Sequence, residues 1–228
     1  MNPHLRLAWT QIVTADDYEE HMTAIGQAQA AAALTQSIIQ ATTPLEGARL
    51  VIVGAGTGQM LDFMDASLLR PFQITCTDLN RSFLLRLEER LTRYGLQATI
   101  LEDDIEQTAL PPGPDLLLAT LVLEHIEWRR GVKMFADLRP QTCGVILQEN
   151  PVGMLSAVTP DRRVPPSIAK AVEIAHPTLV PQTELIAAFD GRGYECRARD
   201  TQEVADGKRL IAMRFAPRMS HRRKDYSA

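Results

Sequence analysis

An α/β fold is what this sequence predicts, with a mostly parallel sheet covered by helices on both faces. Three observations carry that reading. Short β-rich apolar runs alternate with helical patterns from residue 49 to residue 148. A glycine-rich turn follows the first of those runs. The chain closes on two further β-rich runs around a tight turn.

The elements follow in order. Residues 14–40 read as helical, with Thr14 and Asp17 as a capping-box-like start and Tyr18, Met22 and Ile25 at helical spacing. An alanine-rich run of high helix propensity continues to Thr42-Thr43-Pro44. Arg49-Leu50-Val51-Ile52-Val53 is a strand apolar on both faces. After the glycines, Met60, Leu61, Met64 and Leu68 predict a helix stopped by Pro71. Residues 72–77 predict the second strand, ending at Asp78. Helix 81–94 follows, with Leu84, Leu87, Leu91 and Tyr94 on one face and Gly95 as its stop. Strands at 98–101, 116–120 and 144–148 and a helix at 129–138 complete the alternating region. Residues 150–166 are proline-rich and read as a loop, followed by short helices at 167–175 and 182–190. Residues 194–199 and 209–215 flank Ala205-Asp206-Gly207-Lys208 as an antiparallel hairpin.

Composition narrows the function classes. The 228 residues suit one α/β domain with additions, and 45% hydrophobic residues suffice for a sizeable core. A formal charge of −4 provides no global attraction to nucleic acid or to an anionic membrane. The basic cluster at 218–224 reads as a solvated tail. Cys76, Cys143 and Cys196 are odd in number and form no CxxC pair, which fits free thiols in a reducing compartment. No basic flank precedes an apolar run at the N-terminus, and the longest apolar stretch, 116–123, is too short to span a bilayer. A soluble, cytoplasmic protein is expected, with no metal-binding Cys/His cluster.

The loop Gly54-Ala55-Gly56-Thr57-Gly58 lies where a first parallel strand turns into the next element, a place where ligand approaches bare backbone. Its spacing is G-x-G-x-G. The dinucleotide fingerprint needs a small residue where Gln59 stands, so a nicotinamide or flavin dinucleotide is disfavoured. Asp78 can accept hydrogen bonds from both hydroxyls of a ribose, or it can serve as a helix cap. Glu102-Asp103-Asp104-Ile105 can read an adenine amino group, or it is a solvated acidic turn.

Taken together, Leu50-Val51-Ile52-Val53-Gly54-Ala55-Gly56-Thr57-Gly58, Cys76-Thr77-Asp78-Leu79, Asp103-Asp104-Ile105 and the block Asp115 through Leu123-Glu124-His125-Ile126 resemble the class I S-adenosylmethionine-dependent methyltransferases, small-molecule type. The resemblance implies a Rossmann-like, mostly parallel sheet of seven strands with an antiparallel last strand. It divides the chain into an N-terminal helical cap or lid (1–44), the methyltransferase domain (45–217) and a basic flexible tail (218–228). S-adenosyl-L-methionine is the implied cofactor. Gly54, Ala55, Gly56 and Gly58 would pass under it, Asp78 would hold its ribose, Leu79 would pack on the adenine, Asp104 and Ile105 would read the adenine edge, and Leu121 would approach the sulfonium. One departure stands out: the family often carries an acid where this chain has Ile52. Tyr18 and Gln29 are candidates to hold the cofactor's amino group instead.

For the acceptor, a small molecule is expected, with no nucleic acid and no membrane; a homodimer stays open. Direct displacement needs alignment and exclusion of water more than a base. His125 would sit near the methyl group with a pKa suited to a general base, or it packs structurally. Glu124 is a weaker catalytic candidate. Tyr18, His21 and Glu149 are expected around the substrate and its lid. A non-catalytic cofactor-binding subunit, or a protein or RNA methyltransferase, are the alternative readings.

Overall fold

The computed structural model describes residues 3–151, 154, 164–175 and 177–218. Seven strands form one sheet: β1 (Ala48–Val53), β2 (Phe72–Asp78), β3 (Ala98–Glu102), β4 (Leu116–Thr120), β5 (Thr142–Glu149), β6 (Tyr194–Glu203) and β7 (Arg209–Pro217). Their order is β3-β2-β1-β4-β5-β7-β6. β1 pairs in parallel with both β2 and β4, and β7 pairs antiparallel with both β5 and β6. The sheet is thus the expected one, with β7 alone reversed. Strand order turns back between β1 and β4, so a crevice opens at their carboxyl ends.

Alternation along the central strands assigns the two faces. Val51, Val53, Leu117, Ala119, Cys143 and Val145 belong to one core, closed by Val132 and Phe135 of α5 (Trp128–Asp137) and Phe189 of α7 (Gln182–Asp190). Leu50, Ile52, Leu116, Leu118 and Ile146 belong to the other. That core is closed by Leu34 and Ile38 of α3 (Gln27–Thr42) and by Leu87 and Leu91 of α4 (Arg81–Arg93). A third, smaller cluster joins α1 (Pro3–Leu7) and α6 (Pro166–Ile174) over the carboxyl edge of the sheet, through Leu5, Ala8, Val13, Phe83, Ile168 and Ala171.

Two local expectations are corrected, and one unassigned segment is filled in. The helix expected over 14–40 breaks into α2 (Ala15–Ala24) and α3, because Gly26 takes φ +74° and turns the chain between them. The helix expected after the glycine loop is two 3-10 turns, Gln59–Asp62 and Ala66–Leu69. Asp65 caps the second turn through the Ser67 amide, and Asp62 is drawn to Arg90, so its carboxylate is anchored outside a continuous helix. The segment before Thr14, unassigned from periodicity, forms α1 and a π turn, Ala8–Ile12, closed by the Val13 amide on the Ala8 carbonyl. The proline-rich stretch lies mostly, and the basic tail beyond Arg218 entirely, outside the described residues. Among the described residues, no helix is long and apolar enough to cross a membrane.

Arg90 ties four of these pieces together. Its side chain is 4% exposed. Nη1 donates to the Thr57 carbonyl at 2.6 Å and to Glu19 of α2 at 2.9 Å, and Nε donates to Asp62 at 3.0 Å. Replacing Arg90 with methionine keeps the stem and leaves two half-buried carboxylates without their cation. We expect a loss of about 3 kcal/mol in urea unfolding, against less than about 1 kcal/mol for Arg93→Met, whose ion pair is exposed.

Candidate active site

The glycine loop uses its glycines for different reasons. Gly54, Gly56 and Gly58 all have φ near +60°, a conformation that side chains resist. A Cβ on Gly54 would stand 2.5 Å from Val122, and one on Gly58 would stand 2.4 Å from Leu87 of α4. Gly54 therefore lets the loop pass β4's exit, and Gly58 lets it pack on α4. Gly56 faces the Tyr18 hydroxyl. Its amide donates to Asp78 at 2.9 Å, binding the loop to the end of β2.

A cavity of about 200 Å³ opens above these residues. Gly54, Gly56, Asp78, Leu79, Asp103 and Ile105 form one part of its wall. Leu5, Ala8, Trp9, Val13, Ile168 and Ala171 form an apolar cover. On the β4–β5 side stand Thr120, Glu124, His125 and Gln148, with His21 and Gln27 from the N-terminal helices. Ala55, Gly58 and Glu149 do not line it. Ala55 packs on the core, and Glu149 is bound by Gln182 and Arg209. Gln29 is exposed on α3, whereas Tyr18 lines the cavity. Ile52, at the place where the resembled family often carries an acid, is buried in the α3–α4 core.

Asp78 is held by backbone donors. Oδ2 accepts from Gly56 and Oδ1 from Asn80 at 2.8 Å. Burial raises its pKa, and the amides of Asn80, Gly56 and Leu79 oppose that. Each oxygen keeps lone pairs for a further donor. Asp104 is more committed than its sequence position suggests. Its Oδ1 caps the turn through Glu106, and its Oδ2 takes Arg6 at 2.6 Å. Neighbouring Asp103 carries Oδ2 buried without a hydrogen-bond partner among the described residues.

Sequence reasoning missed the aromatic cover. Trp9, in the π turn, donates from Nε1 to Nδ1 of His125 at 3.1 Å. Trp9, Tyr18 and Phe83 form one cluster, with Tyr18 and Phe83 ring centres 5.0 Å apart. Asn80 fixes it from below: its Oδ1 caps α4 while its Nδ2 donates to the Trp9 and Val13 carbonyls. The one available signal was that Trp9 is one of two tryptophans in the chain. Leu121, after β4, has φ +55°, a strained value for leucine, stabilised by its amide on the Ile146 carbonyl.

Burial reshapes the titrating groups. His125 borders the cavity rather than bulk water, and burial pushes it down to about 4. It is therefore neutral, with Nδ1 accepting from Trp9 and its proton on Nε2, an arrangement that speaks against the expected general base. His21 is also lowered, by burial and then by Lys208. Tyr18 is raised well above the ordinary phenol range, by burial and then by Asp78 and Glu19, and stays a neutral donor. Glu124 is pushed up to about 7 by burial.

Glu124 and His125 give stability opposite pH slopes. Between pH 4.5 and 7, Glu124 is protonated when folded and ionised when unfolded, so stability falls as pH rises. Between pH 4 and 6.5, His125 is neutral when folded and charged when unfolded, so stability rises. Glu124→Gln should remove the falling limb, worth up to about 3 kcal/mol, and His125→Gln the rising one. Melting temperatures of both variants and the parent from pH 4 to 8 check this.

Comparison with known proteins bears on these features. Residues 51–139 match a family model described as a methyltransferase domain. No curated protein matches the chain. Among solved structures, the chain is similar to magnesium protoporphyrin IX methyltransferase from Synechocystis PCC 6803 with bound SAM, with TM-score 0.62, 13% identity, and 83% of this chain and 79% of that one covered. It is also similar to an N-methyltransferase, NodS, from Bradyrhizobium japonicum WM9 in complex with S-adenosyl-L-homocysteine, with TM-score 0.57, 13% identity, and 81% and 83% covered. A third likeness is to the cyclase SpnF, with TM-score 0.61, 17% identity, and 83% and 82% covered. Residues 51–139 thus match a methyltransferase-domain model, and the chain as a whole shares the fold of these solved structures.

Proposed function

We propose that this protein transfers a methyl group from S-adenosylmethionine to a small organic acceptor. The observation that carries the reading is the pairing of Asp78 with the Gly56 amide at the mouth of a covered cavity. The residues present fit the cofactor. Asp78 keeps acceptor capacity for two ribose hydroxyls. Leu79 and Ile105 offer apolar surface to a purine. The orphaned Asp103 Oδ2 is an acceptor for an exocyclic amino group, a role expected of Asp104, which would first have to release Arg6. Tyr18 stands over Gly56 as a neutral donor for the amino-acid end.

When bound, the cofactor supplies a methyl group already activated on a sulfonium. The chain's part is then position and dryness. Leu121 and the glycine loop hold backbone close to the reacting end, while Trp9, Ile168 and Ala171 exclude water. His125 serves as a wall and an Nε2–H donor in this reading.

The cover favours a small acceptor over a polymer, because the apolar cluster of α1 and α6 lies across the cavity. The free thiols of Cys76, Cys143 and Cys196 suit a reducing compartment such as the cytoplasm. A non-catalytic, cofactor-binding role is the second reading, favoured by one observation: Ile52 leaves no acid at the usual place beside the loop.

Calorimetry with S-adenosylmethionine and S-adenosylhomocysteine tests both. We expect each to bind, and Asp78→Ala to weaken binding by roughly 1.5–3 kcal/mol. Failure of both ligands to bind the parent protein would sink the proposal.

A further inference from the structure

Glu124 is a buried carboxyl that nothing described so far requires. It is 4% exposed, on the short turn Leu123–His125 between β4 and α5. Its Oε1 accepts from the Gln148 amide at 2.8 Å, at the end of β5. Its backbone carbonyl accepts from Thr178 at 2.9 Å. Its Oε2 is buried and has no hydrogen-bond partner among the described residues.

The polar side chains beside it are committed to each other. Gln27 donates to Gln148 Oε1 at 2.6 Å, and Gln148 Nε2 donates to Asn150 at 2.7 Å. A carboxyl oxygen without a donor costs stability in a low-dielectric site, and replacing it with an apolar group would relieve that cost. The residue lines the cavity two strands across from Asp78, since β2, β1, β4 and β5 lie side by side. The same cavity is lined by apolar surface from Ile168, Ala171, Val172 and Leu179.

We infer that Glu124 Oε2 receives the O–H or N–H of the methyl acceptor, so that the acceptor is a neutral hydroxyl or amine compound on an apolar frame. This rests on the methyl-transfer reading above. Burial pushes the carboxyl up to about 7, so near that pH it can carry charge to accept the hydrogen bond and can also take the proton. The proton passes from the acceptor's oxygen or nitrogen to Oε2. The electron pair left behind forms the new bond to the methyl carbon. The carbon–sulfur bond breaks with its pair remaining on sulfur, as a neutral thioether.

The test uses matched probes with the full chain and saturating S-adenosylhomocysteine. Para-propylphenol and para-propylaniline are compared by calorimetry with para-propylanisole and N,N-dimethyl-para-propylaniline, which lack the donor. The protic member of at least one pair should bind about tenfold or more tighter than its methylated partner. Glu124→Gln keeps an oxygen for the Gln148 amide and should bring that ratio to within about threefold, with S-adenosylhomocysteine affinity unchanged as the check on folding. Equal affinities within both pairs, no binding by any probe, or a preference that survives in Glu124→Gln overturns the inference. If the parent does not bind S-adenosylhomocysteine, the methyl-transfer reading fails instead; intact binding confines the failure to Glu124.

Discussion

The site depends on the Arg90 guanidinium more than on any other single group. A loop with three residues in the left-handed region is held by few bonds of its own. Arg90 supplies one from beneath, through the Thr57 carbonyl, and uses its remaining donors on Glu19 and Asp62. The helix that carries Tyr18 and His21 is thereby fixed to the same cation as the loop they face. Gln59 adds to this connection, donating to the Glu19 carbonyl and to Thr23. A planar fork with several donors suits this geometry, because one point charge cannot reach a carbonyl and two carboxylates in different directions.

Burial governs the ionisable groups of the cavity. Its cover is apolar, so desolvation is the first cause of the shifts at Tyr18, His21, Asp78, Glu124 and His125. Neutral histidines lining the cavity would spare a cationic ligand the repulsion that two imidazoliums would exert. The carboxyls differ in how burial is offset. Asp78 receives three backbone amides, whereas Glu124 is left with one oxygen unmatched.

Much of this was legible in the sequence, and what was not has identifiable causes. Strands β1, β2, β4 and β5 and helices α4, α5 and α7 follow from apolar periodicity, because each packs a continuous face against the sheet. The expected helix after the glycines failed for the opposite reason. Its apolar residues Met60, Met64 and Leu68 do meet the core, but two short turns satisfy them as well as a helix would, and Arg90 and Ser67 reward the aspartates for breaking it. Gly26 inside an alanine-rich run gave too little warning of a helix break. At the site, Asp78 and the loop were readable because spacing carries their role. Trp9, Asn80 and Arg90 were not, since their partners lie 116, 71 and 33 positions away in the chain, respectively.

A fold shared with methyltransferases and with a cyclase does not by itself determine the chemistry. The discriminating features lie above the strand ends. An acid at position 52 would have its side chain in the α3–α4 core, where Ile52 packs against the layer of Leu50 and Leu118, and it would need its own partner there. Without that acid, the proposed reading has the amino-acid end of the ligand met from above, by Tyr18 over Gly56. Tyr18 and His21 of α2 line the cavity that the apolar cluster covers. The position of α2 is set by Arg90 and by Asp17 accepting from the Ser167 amide of α6. In that reading the helix that carries Tyr18 is both part of the cover and the source of the donor that the missing acid leaves necessary.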